Sequence, residues 1–191
     1  MMNNEFFAVS SVATDAQVNF EALPVGKITK YPLEKGSYKP YAQCSLCLTG
    51  ESLAARMLAF EVAPGPDSEL RAVLYPFRDG EAALHLRAVP GMEGVSAWVE
   101  IGEETMPLPL RSRSRDGEDL QGVYWGWDVF LPLEALERLG GPLPLEKNRD
   151  FPGNFYKLRP ASHQGSCYPA DFAGSRPFAL SSMGSFRVVG Y

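Results

Sequence analysis

The feature that most limits what this chain can fold into is a period-two alternation confined to short runs. Ala82, Leu84, Leu86 and Ala88 share one parity, and Ala83, His85, Arg87 and Val89 the other, the pattern of a strand with one face on a core. Runs of similar length, rich in Val, Leu and aromatics, cover Gln43–Leu48, Leu70–Phe77, Val95–Ile101, Gly122–Leu131, Asn154–Leu158 and Phe186–Tyr191, each bounded by Gly, Pro, Asp or Ser. Pro64-Gly65-Pro66-Asp67, Arg78-Asp79-Gly80, Pro90-Gly91 and Arg115-Asp116-Gly117 supply turns by a preset φ or by tolerance of positive φ. Many short strands bury their inner faces most simply as a two-sheet antiparallel β-sandwich, jelly-roll-like. The expected fold class is therefore all-β, and 18 glycines and 16 prolines in 191 residues argue against a helical bundle.

Two segments break the pattern. Pro132–Leu139 predicts a short helix, with Pro at its first turn, Leu133, Leu136 and Leu139 on one stripe, and Gly140-Gly141 to end it. Glu51–Val62 is rich in Ala, Leu and Met with Ser52 as an N-cap candidate, yet Leu58, Phe60 and Val62 alternate, so helical turn and long core strand both stay open. With no repeat, low-complexity tract or linker, residues 1–191 read as one domain, residues 1–21 being irregular or a peripheral strand.

A net charge of −5, with basic residues scattered rather than clustered, argues against nucleic acid as a partner. Arg111-Ser112-Arg113-Ser114-Arg115 is followed at once by Asp116, Glu118 and Asp119 and reads as a solvated hairpin tip. No window approaches the ~20 apolar residues of a membrane span, so no membrane partner is expected. The amino terminus lacks the basic region and apolar run of a secretory signal, and a cytoplasmic location is the expectation.

The carboxy-terminal forty residues carry the most specific motifs: Pro152-Gly153-Asn154-Phe155-Tyr156-Lys157, then Ser162-His163-Gln164-Gly165-Ser166-Cys167-Tyr168-Pro169, then Arg176-Pro177-Phe178 and a closing Gly184-Ser185-Phe186-Arg187-Val188-Val189. This order resembles the family 9-like (DOMON-like) carbohydrate-binding modules, over about residues 22 to 191. The resemblance implies a β-sandwich that binds a saccharide without catalysis. It also places Tyr168 where such modules carry a loop aromatic, with His163 in the same loop. In Asp67-Ser68-Glu69-Leu70-Arg71-Ala72-Val73 it puts Arg71 where the family has an acidic residue, and Leu84-His85-Leu86-Arg87-Ala88 lacks the Asn often found there.

A sugar offers apolar ring faces and a rim of hydroxyls, so its site needs a flat aromatic flanked by planar polar groups. Trp98 shares its parity with Ser96 and Glu100, which puts it on the more polar face. Trp125 and Trp127 share theirs with Val129 and Leu131 and read as core. Arg71, His85 and Arg87 fall on adjacent strands, where they could recognise a sugar acid bidentately; equally, the arginines could pair across strands with Glu69, Glu81 or Glu100. The candidate ligand-binding residues are thus Tyr168, His163, Trp98, Arg71, Arg87 and His85, for a small saccharide or sugar acid. Two alternatives stay open: an interaction or sensory module that keeps the fold without the sugar, and a cryptic glycoside hydrolase.

No catalytic residue and no cofactor are expected. Cys44-Ser45-Leu46-Cys47 with Cys167 and His163 has the residue types of a zinc site, but Cys44 and Cys47 in one strand point to opposite faces. A triad of Ser166 or Cys167 with His163 and Asp171 is too tightly spaced for nucleophile and base to meet. A structural calcium ion is compatible with the resemblance, with Asp67 and Asp116 to Asp119 as unspecific loop ligands.

Overall fold

The computed structural model describes residues 6–91, 94–159, 163–174 and 176–190. Its strands are β1 (Phe6–Ser11), β2 (Gly26–Ile28), β3 (Tyr41–Leu48), β4 (Ser52–Phe60), β5 (Glu69–Leu74), β6 (Ala83–Ala88), β7 (Val95–Ile101), β8 (Glu104–Pro107), β9 (Arg111–Asp119) and β10 (Gly122–Pro132). After the helix α1 (Leu133–Gly140) come β11 (Asp150–Arg159), β12 (His163–Ser166) and β13 (Gly184–Gly190). Residues 1–5, Ser162 of the His-containing motif and Tyr191, the expected end of the closing strand, lie outside the described residues.

The hydrogen-bonded order is β8-β7-β6-β5-β11-β13-β1-β3-β4-β10-β9, with β12 beside β11 and β2 beside β3. The chain is all-β, and its sheet forms two layers, β8 to β11 on one side and β1 to β9 on the other. Inner-parity residues of both layers meet in one core: Leu70, Ala72 and Leu74 of β5, Leu84 and Leu86 of β6 and Val99 of β7, with Cys44 and Leu46 of β3, Met57 of β4, and Trp125 and Val129 of β10. Phe7, Phe155 and Phe186 join the layers, each ring 5.0–5.2 Å from the other two. Trp127 packs partly buried against this core and donates from Nε1 to the Val89 carbonyl (3.1 Å).

The β4 segment is a strand, and its ambiguity has a physical cause. All nine of its residues are buried, because a second cluster of Phe20, Cys47 and Ala54 with Val18 and Leu23 covers its outer face. With no wet face there is no alternation. Arg56, on that covered face, is held by Asp128 (Nε to Oδ1 2.6 Å, Nη2 to Oδ2 3.0 Å) and by Glu21.

The basic run is not a hairpin tip. Arg111–Asp119 is the edge strand β9, paired with β10 from Phe130↔Arg111 to Gly122↔Asp119, and the turn falls at Leu120 and Gln121. Arg115-Asp116-Gly117 is strand rather than turn; Gly117 lies beneath the Tyr124 ring, where a side chain would collide with it. Helix α1 forms as its stripe predicts: Leu136 is fully buried, Gly140 seats against the Phe77 ring, and Gly141, with φ 81°, terminates it.

Candidate functional site

The outer face of the β5–β6–β7 layer is built by register. Arg71 pairs with Arg87 and Val73 with His85 between β5 and β6; His85 pairs with Trp98 and Arg87 with Ser96 between β6 and β7. Arg71, His85, Arg87 and Trp98 therefore share one face, and Tyr156 of β11, opposite Arg71, joins them.

Across this face lie residues 168–174 and 176–183, and Asn154 and Tyr156 of the motif at 152–157 hold them down. Asn154, fully buried, donates from Nδ2 to the carbonyls of Tyr168 (3.0 Å) and Ser182 (2.8 Å), while its Oδ1 accepts from the amides of Phe155 and Tyr168 (both 2.9 Å). The Tyr156 hydroxyl donates to the Pro177 carbonyl (2.5 Å) and the Tyr75 hydroxyl to the Phe178 carbonyl (2.9 Å). Burial pushes both phenols above their ordinary pKa, so both stay donors. Phe178 is thereby delivered to the sheet face.

His85 stacks on Trp98, centroids 5.0 Å apart and planes 4° from parallel, and meets Phe178 edge-on at 5.9 Å. The Arg71 guanidinium lies against both aromatic rings, 4.6 Å from the Phe178 centroid and 5.4 Å from that of Trp98. Trp98 and Phe178 remain half-buried rather than sealed. Glu69 spans both arginines: its Oε2 accepts from Arg87 Nε (2.7 Å), and its Oε1 stands 2.6 Å from Arg71 Nε. The second contact is off the angle of a hydrogen bond, leaving both of its atoms without a hydrogen-bond partner among the described residues. The expected cross-strand pairing with Glu69 is thus present for Arg87, while Arg71 pairs with Glu69 along its own strand; Glu100 instead stands by His85, Nε2 to Oε2 3.5 Å. Burial, then the charge of Arg71, lowers the His85 pKa to about 4, so the ring is neutral near pH 7.

The other two sequence candidates sit elsewhere. Tyr168 turns its ring to Phe186 and Gly184 and lines a depression of about 760 Å³ with Phe7, Gly26, Lys27, Lys30 and Cys167. His163 Nδ1 contacts Glu34 Oε2 at 2.5 Å, and its ring meets Tyr38. The aromatic that the loop brings to Trp98 is Phe178, for which the sequence held one indirect signal: Tyr75 and Tyr156 share the parity of Arg71 or its partner, and their hydroxyls need something to bind.

Cys44 lies in the core and Cys47 in the outer cluster, on opposite faces, and burial pushes the Cys47 and Cys167 thiols up to about 11. The Ser166 hydroxyl is buried with no hydrogen-bond partner among the described residues, while Asp171 accepts from the Gly174 amide (2.6 Å). Asp67 pairs with Arg159 (3.3 Å), Asp116 accepts from Ser114 (2.6 Å) and Asp119 from the Gln121 amide (2.7 Å).

No family model matches the chain, and no curated protein sequence matches it. Solved structures do. A protein of Bacteroides uniformis put forward as carbohydrate-binding superposes with TM-score 0.69 at 16% identity, over 95% of this chain and 97% of the other. A family 9 carbohydrate-binding module of Caldicellulosiruptor kristjanssonii in complex with cellotriose gives 0.60 at 11% identity, over 98% and 95%. A family 9 module from the same organism in complex with glucose gives 0.53 at 10%, over 98% and 97%. At these identities the likeness is one of architecture, and the chain has the fold of the family 9 carbohydrate-binding modules.

Proposed function

We propose that this protein is a noncatalytic saccharide-binding module whose ligand, a small neutral saccharide, seats on the outer face of β5–β6–β7 against Trp98 and Phe178. The observation that carries the reading is the pair of half-exposed rings on a polar-rimmed sheet face, in a fold whose solved examples hold cellotriose and glucose. Aromatic rings supply the apolar surface that a pyranose face needs. Arg87 and Glu100 supply donors and acceptors for its hydroxyls.

Charge favours a neutral ligand over a sugar acid. Arg71 and Arg87 are matched by Glu69 and Glu100, and His85 is neutral near pH 7, so these groups offer a carboxylate no surplus cation. One observation favours a second reading, a module that keeps the fold without the sugar: Arg71 already lies against both rings.

Isothermal titration with cellotriose, glucose and glucuronate, with Trp98→Ala in parallel, separates the readings. Binding of a neutral sugar that the variant loses supports the saccharide site. Absence of binding to all three, or binding that Trp98→Ala leaves intact, overturns it; stronger binding of glucuronate would reverse the charge argument.

A further inference from the structure

Resting on the saccharide reading above, the geometry points to Arg71 as the resident competitor of the ligand: its guanidinium holds the space against Trp98 and Phe178, and a sugar ring binds there only as Arg71 leaves. The walls of this space do not depend on Arg71. Trp98 is backed by the parallel His85 ring, and Phe178 is fixed through its own and its neighbour's carbonyl by Tyr75 and Tyr156. The occupant, by contrast, is held by one ion pair and two cation–π contacts. Its Nε makes no hydrogen bond to Glu69 despite a separation of 2.6 Å, and no other hydrogen bond satisfies that atom among the described residues. Glu69 does not depend on Arg71 either, because Arg87 remains as its hydrogen-bonded partner when Arg71 departs.

The Arg71 side chain is mostly buried but 17% exposed, so one side of it already meets water, and rotation about its own torsions is the route by which the guanidinium would leave while the backbone of β5 stays paired. The cost of vacating the space is the loss of two cation–π contacts and one ion pair. Wild-type affinity is therefore set below what the aromatic walls alone would give, and Arg71 acts as a threshold that only a ligand filling the same space can cross.

The test is a titration of wild type, Arg71→Ala and Glu69→Gln with cellotriose, reading heat and the Trp98 indole NH signal in nitrogen-15 spectra. Ethylguanidinium serves as a stand-in for the missing side chain. The expected result is cellotriose binding about tenfold tighter in Arg71→Ala than in wild type, competed by ethylguanidinium, with the Trp98 signal moving in both titrations. Glu69→Gln, which loosens Arg71 without emptying the space, should bind more tightly than wild type by a smaller factor, and it keeps the test valid if Arg71→Ala is poorly folded. Wild-type binding that Arg71→Ala weakens or leaves unchanged would overturn the competitor role and leave the saccharide reading standing. Cellotriose binding to neither protein, with ethylguanidinium still moving the Trp98 signal in Arg71→Ala, would overturn both.

Discussion

Replacing Lys157 with Met should be among the costliest single changes in this protein, and changing Glu61 as well should repair most of the damage. Lys157 is fully buried; its Nζ lies 3.2 Å from Glu61 Oε1 and donates to Ser68 Oγ at 2.6 Å. Glu61 Oε2 accepts from Ser68 Oγ (2.7 Å) and from Trp125 Nε1 (2.9 Å). Burial pushes the Glu61 carboxyl up, and Lys157, Ser68 and Trp125 together more than offset it, so it is ionised opposite the ammonium. Removing either charge strands the other, at a cost of about 3–5 kcal/mol, against a total stability of about 5–15 kcal/mol. In Lys157→Met with Glu61→Gln no charge is stranded, and the Gln carbonyl can still accept from Trp125 and Ser68. The double variant should lie within about 1 kcal/mol of wild type, giving a coupling energy of several kcal/mol between the two sites. Urea unfolding followed by tryptophan fluorescence measures all four proteins, and equal m values confirm that the same transition is compared. Acid should also relieve Lys157→Met, because protonating the stranded Glu61 removes its charge. Additive losses in the double variant, or a single loss below about 1 kcal/mol, would refute the claim that the pair is dry and mutually dependent.

Three further outcomes are expected. The folded-state pKa of His85 is lowered from 6.5 to about 4, so its contribution to stability is complete above pH 6.5 and is lost as pH falls through that window. The loss is on the order of 3 kcal/mol, and His85→Phe should flatten the stability profile between pH 6.5 and 4 in denaturant titrations. Asn154→Ala abandons four hydrogen bonds, two of them from backbone amides. It should cost about 2–4 kcal/mol, and hydrogen exchange should show protection lost across residues 168–183 rather than in β5 or β6. Tyr75→Phe and Tyr156→Phe should each cost about 1 kcal/mol and weaken cellotriose binding in calorimetry by freeing Phe178; unchanged affinity in both would separate Phe178 from the site.

What could be read from the residues follows from where each strand meets water. β7 has one dry and one wetter face, and β6, buried everywhere but at Arg87, still alternates apolar with polar residue types, so alternation announced both and also placed His85, Arg87 and Trp98 on one side. β9 has exposed or half-exposed residues along its whole length, so nothing apolar alternates and only its pairing with β10 makes it a strand. β4 fails for the opposite reason, being dry on both faces. β12 is four residues long and owes its existence to the register of β11. At the site, the strand residues came from parity, but Phe178 lies outside any strand, and its position depends on two tyrosine hydroxyls supplied from β11 and from just past β5. Motif order alone selected Tyr168 as the loop aromatic, and no local property of Phe178 distinguishes it.

The pairing of β13 with β1 makes the order of synthesis matter. β13 lies between β11 and β1, running parallel to β1 from Phe6↔Ser185 to Ser11↔Gly190, and it is the strand through which the two halves of the hydrogen-bonded order connect. On a ribosome every other strand emerges first, and until residues 184–190 appear the facing edges of β11 and β1 stand open while Phe7 and Phe155 lack Phe186. The nascent protein therefore carries two unfinished half-sheets, each with a sticky margin, and cannot close its core until translation has delivered almost the last of the residues it needs. Ribosome-bound chains stopped before Gly184 would be open to proteases and to one another, in a way that chains with residues 184–190 outside the ribosome are not.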